Sequence, residues 1–137
     1  MTRLYIATAV ALASGITTFA APLPAGAEAG LTIHRFTPAA FKAAQAAGKP
    51  ILVEVHAPWC PVCRAQQPAI ATAVKDPKNR GLMVFRVDYD TMKAAQKPLG
   101  VRTQSTLIAF RGFRETGRLA GETNTGKIAA LIATTRG

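Results

Sequence analysis

The amino-acid sequence predicts a single α/β domain in which a central mixed β-sheet is flanked by helices. Its 137 residues, 49% of them hydrophobic, suffice for one core but not for two. Residues 51–56 and 81–87 are rich in β-branched and other apolar side chains, as is typical of strands buried on both faces. A helical pattern separates these two segments, which favours strands and helices that alternate along the chain. The composition excludes a disordered chain, a collagen-like fibre and a disulfide-dense scaffold.

Residues 1–27 have the features of a secretory signal peptide. Arg3 gives a positive start, residues 4–21 form an apolar run, and Ala25-Gly26-Ala27 matches the small-residue pattern at a cleavage site. We therefore expect export and a mature domain of residues 28–137. Because cleavage removes Arg3 and no acid, the net charge would fall from +10 to +9. The alternative is an uncleaved anchor, since the apolar run is just long enough to span a bilayer.

The predicted elements follow the order β-α-β-α-β-α-β-β-α. Thr37 and Pro38 match an N-cap followed by proline at the first helical position, and Gly48 ends that helix. Pro68 lies inside the next helix and predicts a kink. Gly112 begins a turn before a short edge strand. The predicted strands cover residues 31–36, 51–56, 81–87, 106–111 and 118–121, and the predicted helices cover residues 39–47, 61–74, 91–97 and 126–134.

Two cysteines, Cys60 and Cys63, lie between a predicted buried strand and a predicted helix. The first N–H groups of a helix and the positive end of its dipole stabilise a thiolate, which favours Cys60 as an exposed nucleophile. Cys63 follows one turn later, where it can resolve a mixed disulfide formed by Cys60. Pro61 occupies a position at which a missing N–H costs little. The pattern predicts a redox-active Cys60–Cys63 disulfide that needs no organic cofactor.

Three other interpretations of the cysteine pair remain open. A structural disulfide would close so short a loop that it would gain little entropy. A zinc site would need further ligands, but no second C-x-x-C exists, and His34 and His56 lack the spacing of a zinc finger. The pair could also be a redox-inert remnant.

The segment Trp59-Cys60-Pro61-Val62-Cys63, with the apolar run before it, resembles the active-site segment of thioredoxin. Further similarity extends over most of residues 30–135 and includes Pro68, residues 82–90, residues 99–110 and Gly121. The resemblance implies the thioredoxin fold and thiol–disulfide exchange with the cysteines of partner proteins. It also implies that the exported domain works in a bacterial periplasm. We expect the docking surface to be shaped by six residues, Trp59, Pro61, Val62, Gln104, Ser105 and Thr106.

Glu54 interrupts a strand that is otherwise apolar, where an isolated carboxylate would be costly to bury. An acid occupies the matching position in thioredoxin and assists the buried cysteine, so the resemblance implies that Glu54 accepts the proton of Cys63. Arg86 matches a lysine near that acid, which predicts an ion pair between Glu54 and Arg86. The alternative is that Glu54 faces solvent at a strand edge.

Ser105 stands where thioredoxin-like enzymes usually carry a cis-proline. The loop Gln104-Ser105-Thr106 contains no proline, and a non-proline cis bond costs about 2.5–4 kcal/mol, so we expect a trans bond before Ser105. A hydroxyl would then lie close to the cysteines. One consequence would be altered docking of substrates. The alternative is that a soft metal ion or an iron–sulfur cluster reaches both thiolates, and the chain would then be a metal or cluster carrier that works as a homodimer. A non-catalytic partner-binding domain is a third hypothesis.

Four arginines in the C-terminal part of the chain contribute to its positive charge. Arg102, Arg111, Arg114 and Arg118 share one stretch, which we interpret as a solvated basic face. No nucleic-acid motif occurs, so we expect no nucleic-acid partner. We expect a monomer without stable membrane insertion after cleavage, and a membrane protein that donates or accepts its electrons. We predict that electrons flow from this chain to its partners, as in a reductant.

Overall fold

The computed structural model describes residues 31–137, so the predicted signal peptide at residues 1–27 lies outside the described residues. Within that range the elements follow the predicted order. The strands are β1 (Ile33–Arg35), β2 (Pro50–His56), β3 (Met83–Asp88), β4 (Thr106–Arg111) and β5 (Arg114–Ala120). The helices are α1 (Pro38–Ala46), α2 (Pro61–Lys75), α3 (Lys93–Gln96) and α4 (Thr125–Ala133), with short 3-10 helices at Pro77–Asn79 and Thr134–Arg136.

The strands form one mixed sheet in the order β1-β3-β2-β4-β5. β1, β2 and β3 run parallel, whereas β4 runs antiparallel to both β2 and β5. β2 and β3 therefore end at the same end of the sheet at which β4 begins. This end carries the loop before α2, which contains the first cysteine, and the loop that contains Ser105.

Hydrophobic side chains pack on both faces of the sheet. One cluster contains an aromatic group, Phe36, Phe41, Phe85 and Phe110, whose neighbouring rings lie 5.2–6.3 Å apart between centroids. The cluster on the other face joins the sheet to α2 and α4 through apolar side chains that include Leu52, Ile70, Leu107, Ile128 and Ile132. β2 lies in the middle of the sheet, and its residues Ile51 to Val55 are buried.

Helix starts follow the capping pattern of the sequence. The Thr37 hydroxyl accepts the N–H of Ala40 at 3.1 Å, with Pro38 at the first position of α1. The Asn124 side chain caps α4 by accepting the N–H of Lys127 at 3.0 Å. Pro68 lies inside α2, as predicted.

β5 is longer than the short edge strand predicted at residues 118–121. Its pairing with β4 begins at Arg114 opposite Arg111 and continues to Ala120 opposite Thr106. Gly112 has a φ of +56°, which glycine adopts without steric cost, so two residues suffice for the turn. The polar sequence of this edge strand concealed its length. Within residues 31–137, no helix is long and apolar enough to cross a bilayer.

Candidate active site

Cys60 caps the N-terminus of α2. Its backbone is extended, with φ −82° and ψ 111°, and its sulfur accepts the backbone N–H of Cys63 at 3.1 Å. No disulfide joins the two cysteines in this structure. The sulfur of Cys60 thus lies among the first N–H groups of α2, at the positive end of the helix dipole, which is a position that favours a thiolate.

Cys60 is not exposed, contrary to the prediction for the nucleophile. Only 1% of its surface is accessible, because it packs in a small cluster with Ala57, Val62 and Tyr89. The exposed group at this site is Trp59, which is 56% accessible and donates its indole N–H to Asp90 Oδ2 at 2.9 Å. A partner would therefore meet Trp59 before it reaches the sulfur.

Cys63 is equally buried, at 1% exposure, and its thiol donates to the carbonyl oxygen of Val55 at 3.8 Å. Burial, followed by the hydrogen bond to the Cys60 thiol, raises the pKa of Cys63 to about 11, and backbone hydrogen bonds from Ala57 and Ser105 offset only part of this rise. Cys63 consequently holds its proton near neutral pH, and it must lose that proton before it can attack.

Glu54 is buried, with 2% exposure, so it does not face solvent. Arg86 Nε donates to Glu54 Oε1 at 2.5 Å, and Gln67 Nε2 donates to Glu54 Oε2 at 2.7 Å. Arg86 Nη2 also donates to Gln67 Oε1 at 2.9 Å, which closes a ring of three side chains. The structure therefore brings Glu54 and Arg86 together in the anticipated ion pair, and it adds Gln67.

Both carboxylate oxygens of Glu54 accept hydrogen bonds within this ring, and Gln67 Nε2 also donates to the carbonyl oxygen of Cys63 at 3.4 Å. Gln67 was missed in the sequence, although it lies four residues after Cys63 and therefore on the same face of α2. That helical spacing was the available indication. The buried carboxylate thus accepts hydrogen bonds from a cation and from an amide.

Ser105 has the trans peptide bond that the sequence predicts, and its φ of +55° is unusual for a residue other than glycine. Its N–H donates to the carbonyl oxygen of Val55 at 2.8 Å. Its hydroxyl donates to the carbonyl oxygen of Gln104 at 2.6 Å instead of reaching either sulfur. The group that Ser105 presents near the cysteines is its backbone N–H, since the hydroxyl bonds its own chain.

A second glutamine, Gln66, holds the Ser105 loop and was also missed in the sequence. Its side chain is 2% exposed, and its amide donates to the carbonyl oxygens of Ser105 at 3.1 Å and Glu122 at 2.9 Å. Gly121 donates its N–H to the same Ser105 carbonyl at 3.0 Å. The loop is thus fastened to α2 and to the end of β5.

The remaining predicted docking residues surround the pair. Pro61 and Val62 open α2, the former exposed and the latter half-buried. Gln104 accepts the hydroxyl of Thr103 at 2.9 Å, and Thr106 donates its hydroxyl to the Thr103 carbonyl at 2.8 Å. These contacts order the loop beside the cysteines.

A metal-ligand cluster and a cavity are the next candidates for a functional site. Within residues 31–137, no three His, Cys, Asp or Glu side chains gather closely enough to hold a metal ion, so a metal at the cysteine pair would need ligands from elsewhere. A cavity of about 840 Å³ lies against α1 and is lined by Phe41, Met92 and Phe113, but neither cysteine borders it.

Sequence comparison identifies the family. The family model described as Thioredoxin matches residues 32–134. The chain belongs to the thioredoxin family. The fold agrees: the chain is 40% identical to Trxlp from Edwardsiella tarda, whose crystal structure aligns with a TM-score of 0.71 over 74% of this chain and 98% of that one.

More distant members of the thioredoxin family are similar over part of the chain. The bifunctional thioredoxin reductase/thioredoxin of Mycobacterium leprae is 30% identical over 75% of this chain, and the protein disulfide-isomerase erp38 of Neurospora crassa is 39% identical over 50% of it. The chain spans only 22% and 19% of those relatives, and 64% of a thioredoxin H-type of Brassica campestris. A thioredoxin of Malassezia sympodialis, 19% identical, shares the fold with a TM-score of 0.67 over 77% of this chain and 94% of that one.

Proposed function

We propose that this chain is a thiol–disulfide oxidoreductase that exchanges its Cys60–Cys63 pair with the cysteines of partner proteins. The observation that carries the proposal is the position of the Cys60 sulfur, which accepts the Cys63 N–H at 3.1 Å at the N-terminus of α2. Such a position stabilises the thiolate that thiol exchange requires. Membership of the thioredoxin family supports the same conclusion.

The exchange proceeds in two steps when the chain acts as a reductant. The Cys60 thiolate attacks one sulfur of a substrate disulfide, forms a mixed disulfide and releases the other substrate sulfur as a thiolate. Cys63 then loses its proton and attacks the Cys60 sulfur, which forms the Cys60–Cys63 disulfide and releases the second substrate thiolate. Two electrons pass to the substrate, and the released thiolates take up protons.

Glu54 is the proposed proton acceptor for Cys63. Each oxygen of the Glu54 carboxylate keeps a second lone pair beside the hydrogen bond that it accepts, so Oε2 can take the proton, directly or through water. Arg86 would keep its hydrogen bond to the other oxygen throughout. The ring of Glu54, Gln67 and Arg86 thus holds the acceptor in position.

We further propose that the domain is exported to a periplasm, acts as a monomer and leans towards reduction, with a membrane protein as its electron donor. The signal-peptide features of residues 1–27 support export. Mass spectrometry of the protein secreted by a bacterial host would test this, because cleavage after Ala27 leaves Glu28 as the first residue. Recovery of uncleaved chain in the membrane fraction would contradict it.

The reduction potential of the pair tests the proposed activity and its direction. Metal-free mature protein would be equilibrated with a glutathione series, with Cys60→Ser and Cys63→Ser as inactive controls. A value near −270 mV would identify a reductant, and a value near −120 mV would identify an oxidant and contradict the reductant proposal. If no reversible transition occurs, the oxidoreductase proposal fails, and bound metal in the purified protein would then support a carrier.

A further inference from the structure

Six exposed basic side chains gather at the end of the sheet opposite the cysteines. β2 and β3 begin at this end, α2 finishes there, and the turn between β4 and β5 lies there. We call it the basic end, and its six cations are Lys49, Lys75, Lys78, Arg80, Arg111 and Arg114. The sequence stretch that contains Arg102 and Arg111 does not form one face, because these residues lie at opposite ends of the sheet.

The loops of the basic end contact each other. The N–H of Gly112, in the turn between β4 and β5, donates to the carbonyl oxygen of Lys49 at 3.1 Å, so the turn lies beside the start of β2. Arg111 donates to the carbonyl oxygens of Thr135 and Arg136, which brings the C-terminal turn to the same end. The cations therefore project from connected segments of the fold.

Acidic side chains do little to neutralise this end. The Asp76 carboxylate accepts the backbone N–H of Lys78 at 2.9 Å, and Glu115 pairs with Arg118 at 2.6 Å. None of the six cations forms an ion pair with an acid within residues 31–137. Asp88, Asp90 and Glu122, by contrast, lie at the end that carries the cysteines. The acids of the described chain thus leave the cations of the basic end without ion pairs.

An exposed aromatic side chain lies among these cations. Phe113 occupies the turn between Arg111 and Arg114, and 65% of its surface is accessible. An apolar ring flanked by cations is suited to a bilayer interface, where the ring enters the headgroup region and the cations remain at the anionic surface.

β1 also starts at the basic end. It runs parallel to β3, so Ile33 lies nearer this end of the sheet and Arg35 lies nearer the cysteines.

We propose that the basic end binds the surface of an anionic lipid bilayer. β2 has seven residues, so at about 3.3 Å per residue it holds the cysteines about 20 Å from the bound face. The domain would lie on the membrane with Trp59 and the cysteine pair directed away from it. Phosphate headgroups are the chemistry that the six cations recognise, and Phe113 provides the apolar contact.

Sedimentation with vesicles tests the proposal on mature reduced protein at 50 mM salt. We expect binding to vesicles of phosphatidylglycerol and phosphatidylcholine, little binding to phosphatidylcholine alone, and release at 500 mM salt. Equal binding to both vesicle types would overturn the proposal. An affinity for duplex DNA as high as that for the anionic vesicles would also overturn it, by showing a general polyanion site.

Two variants with equal loss of charge locate the binding surface. Lys78→Gln with Arg114→Gln should lower the partition coefficient about 25-fold, because each cation near an anionic surface contributes about fivefold. The control is Lys97→Gln with Arg102→Gln, which removes two exposed cations outside the basic end. It should change the partition coefficient less than threefold. Equal losses in the two variants would show that binding follows net charge alone, and would overturn the assignment of the basic end.

Fluorescence quenching tests the orientation. Trp59 is the only tryptophan of the chain, and the proposed orientation directs it away from the bilayer. Brominated lipids should therefore leave its emission unchanged when the protein binds. A Phe113→Trp variant in a Trp59→Phe background should be quenched in the same vesicles. Quenching of Trp59 in the natural sequence would place the cysteine end on the membrane and overturn the proposal.

Discussion

Ser105 donates its backbone N–H to the carbonyl oxygen of Val55 at 2.8 Å, and the thiol of Cys63 contacts the same carbonyl at 3.8 Å. A proline at this position has no N–H and could not make the first contact. The residue that stands in place of the family's usual proline therefore adds a hydrogen bond to the main chain beside Cys63. Three predictions concern this loop and its supports.

Ser105→Gly should stabilise the protein. At φ +55° a serine side chain carries a cost of about 1–2 kcal/mol, which glycine avoids, while the extra freedom of glycine in the unfolded chain costs about 0.5–1 kcal/mol. The net expectation is a rise of about 0.5–1 kcal/mol in the free energy of unfolding, measured in urea. Ser105→Ala is the matched control, since it keeps the strained backbone and removes only the hydroxyl. A glycine variant no more stable than the alanine variant would contradict the assigned strain.

Ser105→Pro should destabilise the protein by about 2 kcal/mol or more. The proline ring fixes φ near −65°, which is incompatible with +55°, and the bond to the Val55 carbonyl is lost. The free energy of unfolding, measured as for the glycine variant, checks this. A proline variant as stable as the natural sequence would show that the loop accepts a second conformation.

Gln66→Leu should destabilise the protein by about 1–3 kcal/mol. The substitution keeps an apolar body in a buried position but leaves the carbonyl oxygens of Ser105 and Glu122 without the amide donor. Gln45→Leu serves as the control, because Gln45 is only half-buried and lies in α1, far from this loop in sequence. Equal unfolding free energies for the two variants would contradict the role assigned to Gln66.

Arg86→Met should destabilise the protein by about 1–3 kcal/mol, because Glu54 would keep a buried charge without its cation. The loss is smaller than for a fully buried pair, since the Arg86 side chain is 33% exposed. Adding Glu54→Gln to Arg86→Met should recover part of the loss. A double variant whose loss equals the sum of the two single losses would show that the two groups are not coupled.

Alkaline pH should destabilise the reduced protein through Cys63. Its pKa is about 11 in the folded state and near 9.0 when unperturbed, so the unfolded chain loses this proton first as pH rises. The contribution of the protonated Cys63 thiol to the free energy of unfolding is fully present below pH 9 and is lost as the pH approaches 11. The difference in unfolding free energy between the natural sequence and Cys63→Ala, both kept reduced, should therefore fall over that interval. A constant difference would contradict the raised pKa.

The sequence predicted much of the fold because its signals are local. The cap at Thr37, the β-branched run of β2 and the turn at Gly112 each depend on neighbouring residues, and each appears where predicted. β5 was predicted too short, because an edge strand exposed to solvent need not carry an apolar pattern.

The site was predictable to a lesser extent. Glu54 and Arg86 could be paired from the resemblance, but the roles of Gln66 and Gln67 depend on contacts with residues distant in sequence. The burial of Cys60 was not predictable for the same reason, since Tyr89, which packs near it, follows β3. Such contacts become visible only when the strands are placed side by side.

The burial of Cys60 has a consequence for chemical selectivity. Only 1% of the Cys60 surface is exposed. A small oxidant such as hydrogen peroxide, which collides from solvent, should therefore react only while the surrounding side chains move and expose more of the sulfur. A docked protein stays long enough to reach the sulfur after the surrounding side chains move. Under the proposed exchange we therefore expect the covering to act as a kinetic filter, which withholds electrons from freely diffusing molecules and releases them to partners that bind.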